Sequence, residues 1–145
     1  MRINSKFIGW MVLCLFTFCL TSCVERYTSI RWIGDDFVSY EGGTAVWVVN
    51  KKHVNVTPQI RGINAVVTNK DYEKVEQKRL PIIADNYSYS WDWIQIDIMT
   101  NRIEFTFQPN ETEYTRDIII WFDDGSVGWN RISVYQPYKP TDTGL

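Results

Sequence analysis

An all-β sandwich of about seven or eight strands is the fold that this 145-residue sequence predicts, and three observations predict it. First, the stretch 23–145 carries 36 Val, Ile and Thr residues and 18 aromatic residues, against two Leu and three Ala. Strand formers are abundant there and helix formers scarce. Second, apolar residues recur at every second position in several short segments, the period of a strand with one buried face. Third, Gly, Asn, Asp and Pro cluster between those segments, as turns between short strands require.

The elements follow in chain order. Residues 37–40 run into the break Glu41-Gly42-Gly43, and 44–50 follows as a strand. Residues 53–57 read as another strand and 62–68 as a weaker one. Ile94, Ile96 and Ile98 alternate with Gln95 and Asp97, and Ile103, Phe105 and Phe107 with Arg102, Glu104 and Thr106. Ile132 and Val134 alternate with Arg131, Ser133 and Tyr135. Ile118-Ile119-Ile120-Trp121-Phe122 is unbroken, which implies a central strand covered on both faces. Pro109-Asn110-Glu111-Thr112 separates two strands, and Asp123-Asp124-Gly125-Ser126 is a hairpin signal, since Asp-Gly tolerates positive φ. The stretch 69–80 mixes both charge signs and stops at Pro81. It reads as a charged insertion, a solvated excursion from the sheet, with Tyr72, Val75 and Arg79 spaced for one side of a short helix.

The first residues have another character. Arg2 and Lys6 precede a largely apolar run over 7–20, which is shorter than the roughly 20 residues a spanning helix takes and suits the hydrophobic region of a secretory signal. Leu20-Thr21-Ser22-Cys23 resembles the lipobox of bacterial lipoproteins. The resemblance implies that 1–22 is removed and that Cys23 carries acyl chains, with 23–34 a lipidated tether, 35–137 the sandwich and 138–145 a flexible tail. Two or three chains anchor stably, at about 0.8 kcal/mol per buried CH2. Cys14 and Cys19 leave with the signal, so no disulfide or thiol chemistry is expected downstream. The Asp that retains some lipoproteins in the inner membrane is missing, since Val24 follows the cysteine. The expected location is therefore the outer membrane of a cell envelope, periplasmic or surface facing.

From 37 to 136 the order of motifs resembles the BACON family, the Bacteroidetes-associated carbohydrate-binding modules that are often N-terminal. The matching residues are Tyr40-Glu41-Gly42-Gly43 before a strand, Trp93-Ile94 in mid-domain, the strand 103–107 leading to Asn110 and Arg116, and the closing Ile132, Val134 and Gln136. The resemblance implies an immunoglobulin-like β-sandwich that binds glycan or acts as a spacer. Gly43 and Trp93 stand further apart than the family pattern has them, which locates an insertion that includes 69–80. Each matched residue also has a structural use: a tight turn for the glycines, core filling for Trp93, and loop-fixing hydrogen bonds for Asn110 and Arg116.

The chemistry points to binding. A net charge of −2 argues against nucleic acid, which needs an excess of Lys and Arg. His53 is the sole histidine, and neither a nucleophile motif nor a P-loop occurs, so no catalytic residue, metal or cofactor is expected. The carboxylates Asp92, Asp97, Glu104, Asp123 and Asp124 are the material for a hydrolase, although Asp123-Asp124 already serves a turn. Tyr87, Tyr89, Trp91 and Trp93 recur at every second residue and would share one side of an extended chain. Ile94, Ile96 and Ile98 take the opposite parity, so a bulge or crossover is expected near Trp93. Such a ladder either stacks on sugar rings or is buried. Trp129 and Tyr135 share the polar parity of the last strand and are the expected exposed aromatics. Trp91, Trp93, Trp129 and Tyr135 are therefore the candidate carbohydrate-binding residues. The expected partners are the membrane, through the lipid, and a polysaccharide or an envelope protein. An envelope protein would use a sheet edge or the stretch 69–80. Replacing the acylation nucleophile, Cys23→Ser, is expected to abolish incorporation of labelled palmitate in an expressing bacterium and to move the protein out of the membrane fraction; undiminished labelling would refute the anchor.

Overall fold

A computed structural model describes residues 30–51, 53–126 and 128–140. Cys23 and residues 1–22 lie outside them. The described chain forms nine strands in two antiparallel sheets, an immunoglobulin-like β-sandwich, against the seven or eight expected. In order these are β1 (Trp32–Gly34), β2 (Gly43–Val49), β3 (Gln59–Thr68), β4 (Lys74–Arg79), β5 (Ser88–Trp91), β6 (Ile94–Met99), β7 (Arg102–Phe107), β8 (Thr115–Asp123) and β9 (Asn130–Gln136). One sheet has the order β1-β2-β7-β6-β5 and the other β4-β3-β8-β9.

The period-two residues meet between the sheets. Ile94, Ile96 and Ile98 of β6 and Ile103, Phe105 and Phe107 of β7 face Ile118, Ile120 and Phe122 of β8 and Ile132 and Val134 of β9, all of them buried. In β3 the alternation breaks between Ile60 and Gly62, where the pairing with β8 shifts register. That bulge turns both Ile60 and Ile63 inward, so the strand runs further toward its N-terminus than 62–68.

Four expectations are corrected. The tether was expected to reach residue 34, but β1 belongs to the sheet: Trp32 is buried, packs edge-on against Phe122 at 5.2 Å and donates its indole N–H to Asp124 Oδ2 at 2.9 Å. Residues 53–57 are a loop rather than a strand. His53 has φ +69, and Asn101 clamps the loop by accepting from the Val56 N–H at 2.7 Å and donating to the Val54 carbonyl at 2.6 Å. The charged insertion is neither helix nor excursion, because its second half is β4, which pairs with the free edge of β3. The Asn69 carboxamide oxygen accepts from the backbone N–H groups of Asp71 and Glu73, and Tyr72 takes φ +62, so a tight turn forms where a helix would have started. Finally, β8 is covered on one face. A two-layer sandwich leaves its outer side to solvent, and Ile119 and Trp121 there are half-buried.

One end of the sandwich is closed by polar side chains. Asn110 is fully buried, and its amide nitrogen donates to the carbonyls of Tyr114 and Pro137, both at 2.8 Å. Its oxygen accepts from the Thr112 hydroxyl at 2.6 Å. Gln136, also fully buried, donates to the carbonyls of Ser39 and Gln108. Arg116 donates to the carbonyls of Gln108 and Pro109 and to Gln136 Oε1. Gly42 must be glycine here: its φ is +89, and a Cβ would meet the Phe107 carbonyl oxygen at 2.8 Å. At the other end Asp124 is buried. Burial alone would raise its carboxyl pKa, but hydrogen bonds from the Ser126 hydroxyl and N–H and the Trp32 indole outweigh it and hold the group below its ordinary value.

Asn110→Ala strands several buried backbone groups and is expected to cost about 1–3 kcal/mol in chemical denaturation. A loss below about 0.5 kcal/mol, the size typical of surface substitutions, would show that the junction contributes nothing.

Candidate functional site

The four predicted binding aromatics do not share a site. Trp93 is 7% exposed. Phe107 stacks against its ring at a centroid distance of 5.7 Å and 28°, and the Arg116 guanidinium lies 5.3 Å from its centroid. Its ring is committed to the core, so its expected role as a sugar platform is corrected. Trp91 is half-buried and faces inward at the sandwich side, with the Lys78 ammonium 5.2 Å from its centroid and Trp93 at 5.3 Å. Of the remaining ladder, Tyr89 is buried and Tyr87 exposed. The expected change of parity is a two-residue turn at Asp92 and Trp93, with Trp91 paired to Ile94, rather than a bulge.

Trp129 and Tyr135 are both exposed, at 73% and 44%, but they stand at opposite ends of β9. At about 3.4 Å per residue they are about 20 Å apart along the strand. Tyr135 packs edge-on against Phe37 at 5.2 Å. That contact accompanies a short parallel pairing: the Val38 N–H donates to the Tyr135 carbonyl, and the Tyr135 N–H to the Asp36 carbonyl. The segment thereby covers the open edge of β9.

Trp129 has different neighbours. It lines a groove of about 410 Å³ on the outer face of the four-stranded sheet, with Trp121, Arg61, Gly62, Asn64, Gln77 and Arg79. The pairing places these groups. Gly62 is opposite Trp121, Asn64 is opposite both Ile119 and Arg79, and Val66 is opposite Gln77. Paired residues share a face, so Trp121, Asn64, Gln77 and Arg79 all point outward. A Cβ on Gly62 would meet Trp121 Cε3 at 3.2 Å, so the benzo ring of that indole lies over the glycine. The missing side chain lets the ring settle onto the sheet, leaving its other side toward the groove.

Trp121 was absent from the predicted site. It sits in an apolar run that reads as buried on both faces, but its parity with Asp117 and Asp123 is the signal that it shares the polar face. Gln77 and Arg79 come from the charged insertion, which thus builds one wall of the groove.

Other features fit a ligand less well. A hollow of about 490 Å³ lies between residues 57–61 and 82–89, lined by Ile60, Ile82, Ile83 and Tyr87 among others, but it has no indole face. Of the carboxylates singled out as hydrolase candidates, Asp97, Glu104, Asp123 and Asp124 are tied down, and Asp92 is exposed in the turn before β6. Asp97 accepts from Ser88 and Gln95, Glu104 pairs with Arg102, and Asp123 pairs with Arg61 at 3.4 Å. His53 is exposed in the loop before β3. Among the described residues no group of three or more His, Cys, Asp and Glu is arranged to hold a metal ion.

No family model and no curated protein matches the chain. Among solved structures, an NMR structure of a protein from Bacteroides thetaiotaomicron is similar, with a TM-score of 0.49 and 14% identity over 72% of this chain and 76% of that one.

The two tryptophans differ in what their loss should do. Trp93→Ala is expected to cost about 3–5 kcal/mol in denaturant unfolding, as for a large core residue, and Trp129→Ala less than about 0.5 kcal/mol. Equal costs would contradict the assignment of one ring to the core and the other to solvent.

Proposed function

We propose that this chain is a lipid-anchored, non-catalytic glycan-binding module of a bacterial cell envelope, and that it takes its ligand in the groove of Trp121 and Trp129. The carrying observation is Trp129, 73% exposed beside a second indole that lies over Gly62, within a fan of amide and guanidinium groups. A large indole left in water costs free energy unless something covers it. A pyranose presents C–H groups to an aromatic face and hydroxyls at its rim. Asn64 and Gln77 supply both donors and acceptors for such hydroxyls. Asn64, Gln77 and Trp121 stand on paired strands, which hold them more rigidly than a loop would, and Trp129 stands just before β9. The anchor rests on the lipobox-like run ending in Cys23. The motif order of residues 37–136 agrees with a binding or spacer module.

A second reading, an interaction lipoprotein that adds a partner's strand, has one observation in its favour. Among the described residues, β4 pairs with β3 on one side and has no strand on the other. Its side chains Lys74, Glu76, Lys78 and Arg79 are exposed and charged, the pattern by which edge strands resist such addition. The groove is therefore the stronger basis.

Affinity electrophoresis through gels containing a broad polysaccharide panel tests the proposal. The wild-type chain is expected to be retarded by at least one glycan, and Trp121→Ala and Trp129→Ala each to weaken that binding about five- to tenfold with the fold intact. Free migration of wild type through every gel, or undiminished binding by both variants, would refute it. Capture of an envelope protein that is lost on deleting 69–80 would favour the second reading.

A further inference from the structure

The walls of the groove narrow the class of ligand, an inference that rests on the glycan-binding reading above. We infer that the ligand is an acidic glycan, one that carries carboxylate or sulfate groups on its pyranose rings. Two guanidinium groups, Arg61 and Arg79, line the groove, and among the described residues no carboxylate does. Arg61 is engaged at its rim, donating to Gln59 Oε1 at 3.1 Å and to Asp123 Oδ2 at 3.4 Å. Arg79 is exposed at the end of β4 opposite Asn64, and among the described residues no carboxylate pairs with it. Lys74 adds a second cation along the same strand, its ammonium donating to Gln77 Oε1 at 3.3 Å.

The donor inventory is what discriminates. Guanidinium and ammonium groups donate and never accept. A neutral sugar hydroxyl both donates and accepts, so it uses such a wall poorly. Carboxylate and sulfate oxygens accept without donating, and they match the planar fork of arginine with two parallel hydrogen bonds. The indoles would hold the ring while Arg79 takes the acidic substituent. Whole-molecule attraction cannot supply this preference, because the chain carries 17 acidic against 15 basic residues. The preference is local to one wall, so it should depend on few charges and respond to salt with a shallow slope.

The test titrates the full chain with four probes: oligogalacturonate, its methyl ester, dextran sulfate and dextran. At least one acidic probe is expected to bind about tenfold more tightly than its neutral counterpart, and the probe that does so identifies the acidic group. Arg79→Gln is expected to weaken the acidic probe about fivefold, the size of one exposed ion pair, and Arg79→Glu to weaken it further. Circular dichroism and thermal melts of both variants should match wild type, as befits an exposed position. Equal binding of acidic and neutral probes, or acidic binding unchanged in both Arg79 variants, would overturn the acid preference. In either case loss of neutral binding in Trp129→Ala would show that the indole platform survives. Failure of wild type to bind any of the four, together with an unretarded polysaccharide panel, would overturn both readings.

Discussion

The antiparallel pairing of β3 with β8 is the contact on which the rest of the molecule depends. Ile63 and Ala65 lie opposite Ile120 and Ile118, so the pair supplies the floor of the core. The register shift between Ile60 and Gly62 sets the parity of everything after it. A side-chain period of two means that a slip of one residue would exchange the two faces. The same shift brings Gly62 opposite Trp121 and turns Asn64 outward. β4 then pairs on the far side of β3 and presents Gln77 and Arg79 to that same outer face. Core and groove are thus the two faces of one register.

The ends of a sandwich pose a separate problem, since strands leave the sheets there and their carbonyls fall inside the molecule. A buried carbonyl without a donor is costly. Here Asn110, Arg116 and Gln136 donate to carbonyls from residues 39, 108, 109, 114 and 137, so three side chains join three regions of the chain, 39, 108–114 and 137. Burial draws the Arg116 guanidinium below its ordinary pKa, which is the cost of placing a cation at that junction. Trp93 lies against that cation and Phe107, which explains why a tryptophan is used where an aliphatic side chain would fill space. The opposite end is tied by Trp32 and Asp124, which link the first strand of one sheet to the hairpin of the other.

Open strand edges are managed unevenly. Residues 36–38 cover β9, and the charged side chains of β4 protect its free edge. The cover over β9 also explains the exposed pair Phe37 and Tyr135, whose rings meet each other rather than a ligand. Among the described residues the groove of Trp121 and Trp129 has no such cover, and there two indoles line one hollow together with polar groups.

The sequence by itself determined the all-β class, the presence of strand β2, and the strands β6, β7 and β9 with their buried parities, because each of the last three is a local pattern of period two. It also marked the matched polar residues Asn110 and Arg116 as loop-fixing, since a polar residue between apolar strands has few other uses. The tertiary structure alone decided which aromatic rings face water. Trp91 and Trp93 look like a ladder in the sequence, but a two-residue turn and the packing of Phe107 and Arg116 take Trp93 into the core, while Trp91 stays half-buried beside Lys78. Trp121 looks buried in its apolar run and is half-exposed, because none of the described elements covers the outer side of its sheet there. The charged stretch looked like a helix or a loop because its pairing energy comes from β3, a strand whose own pattern a bulge had obscured. Strand pairing and the covering of a face are relations between segments far apart in the chain, and no local pattern records them.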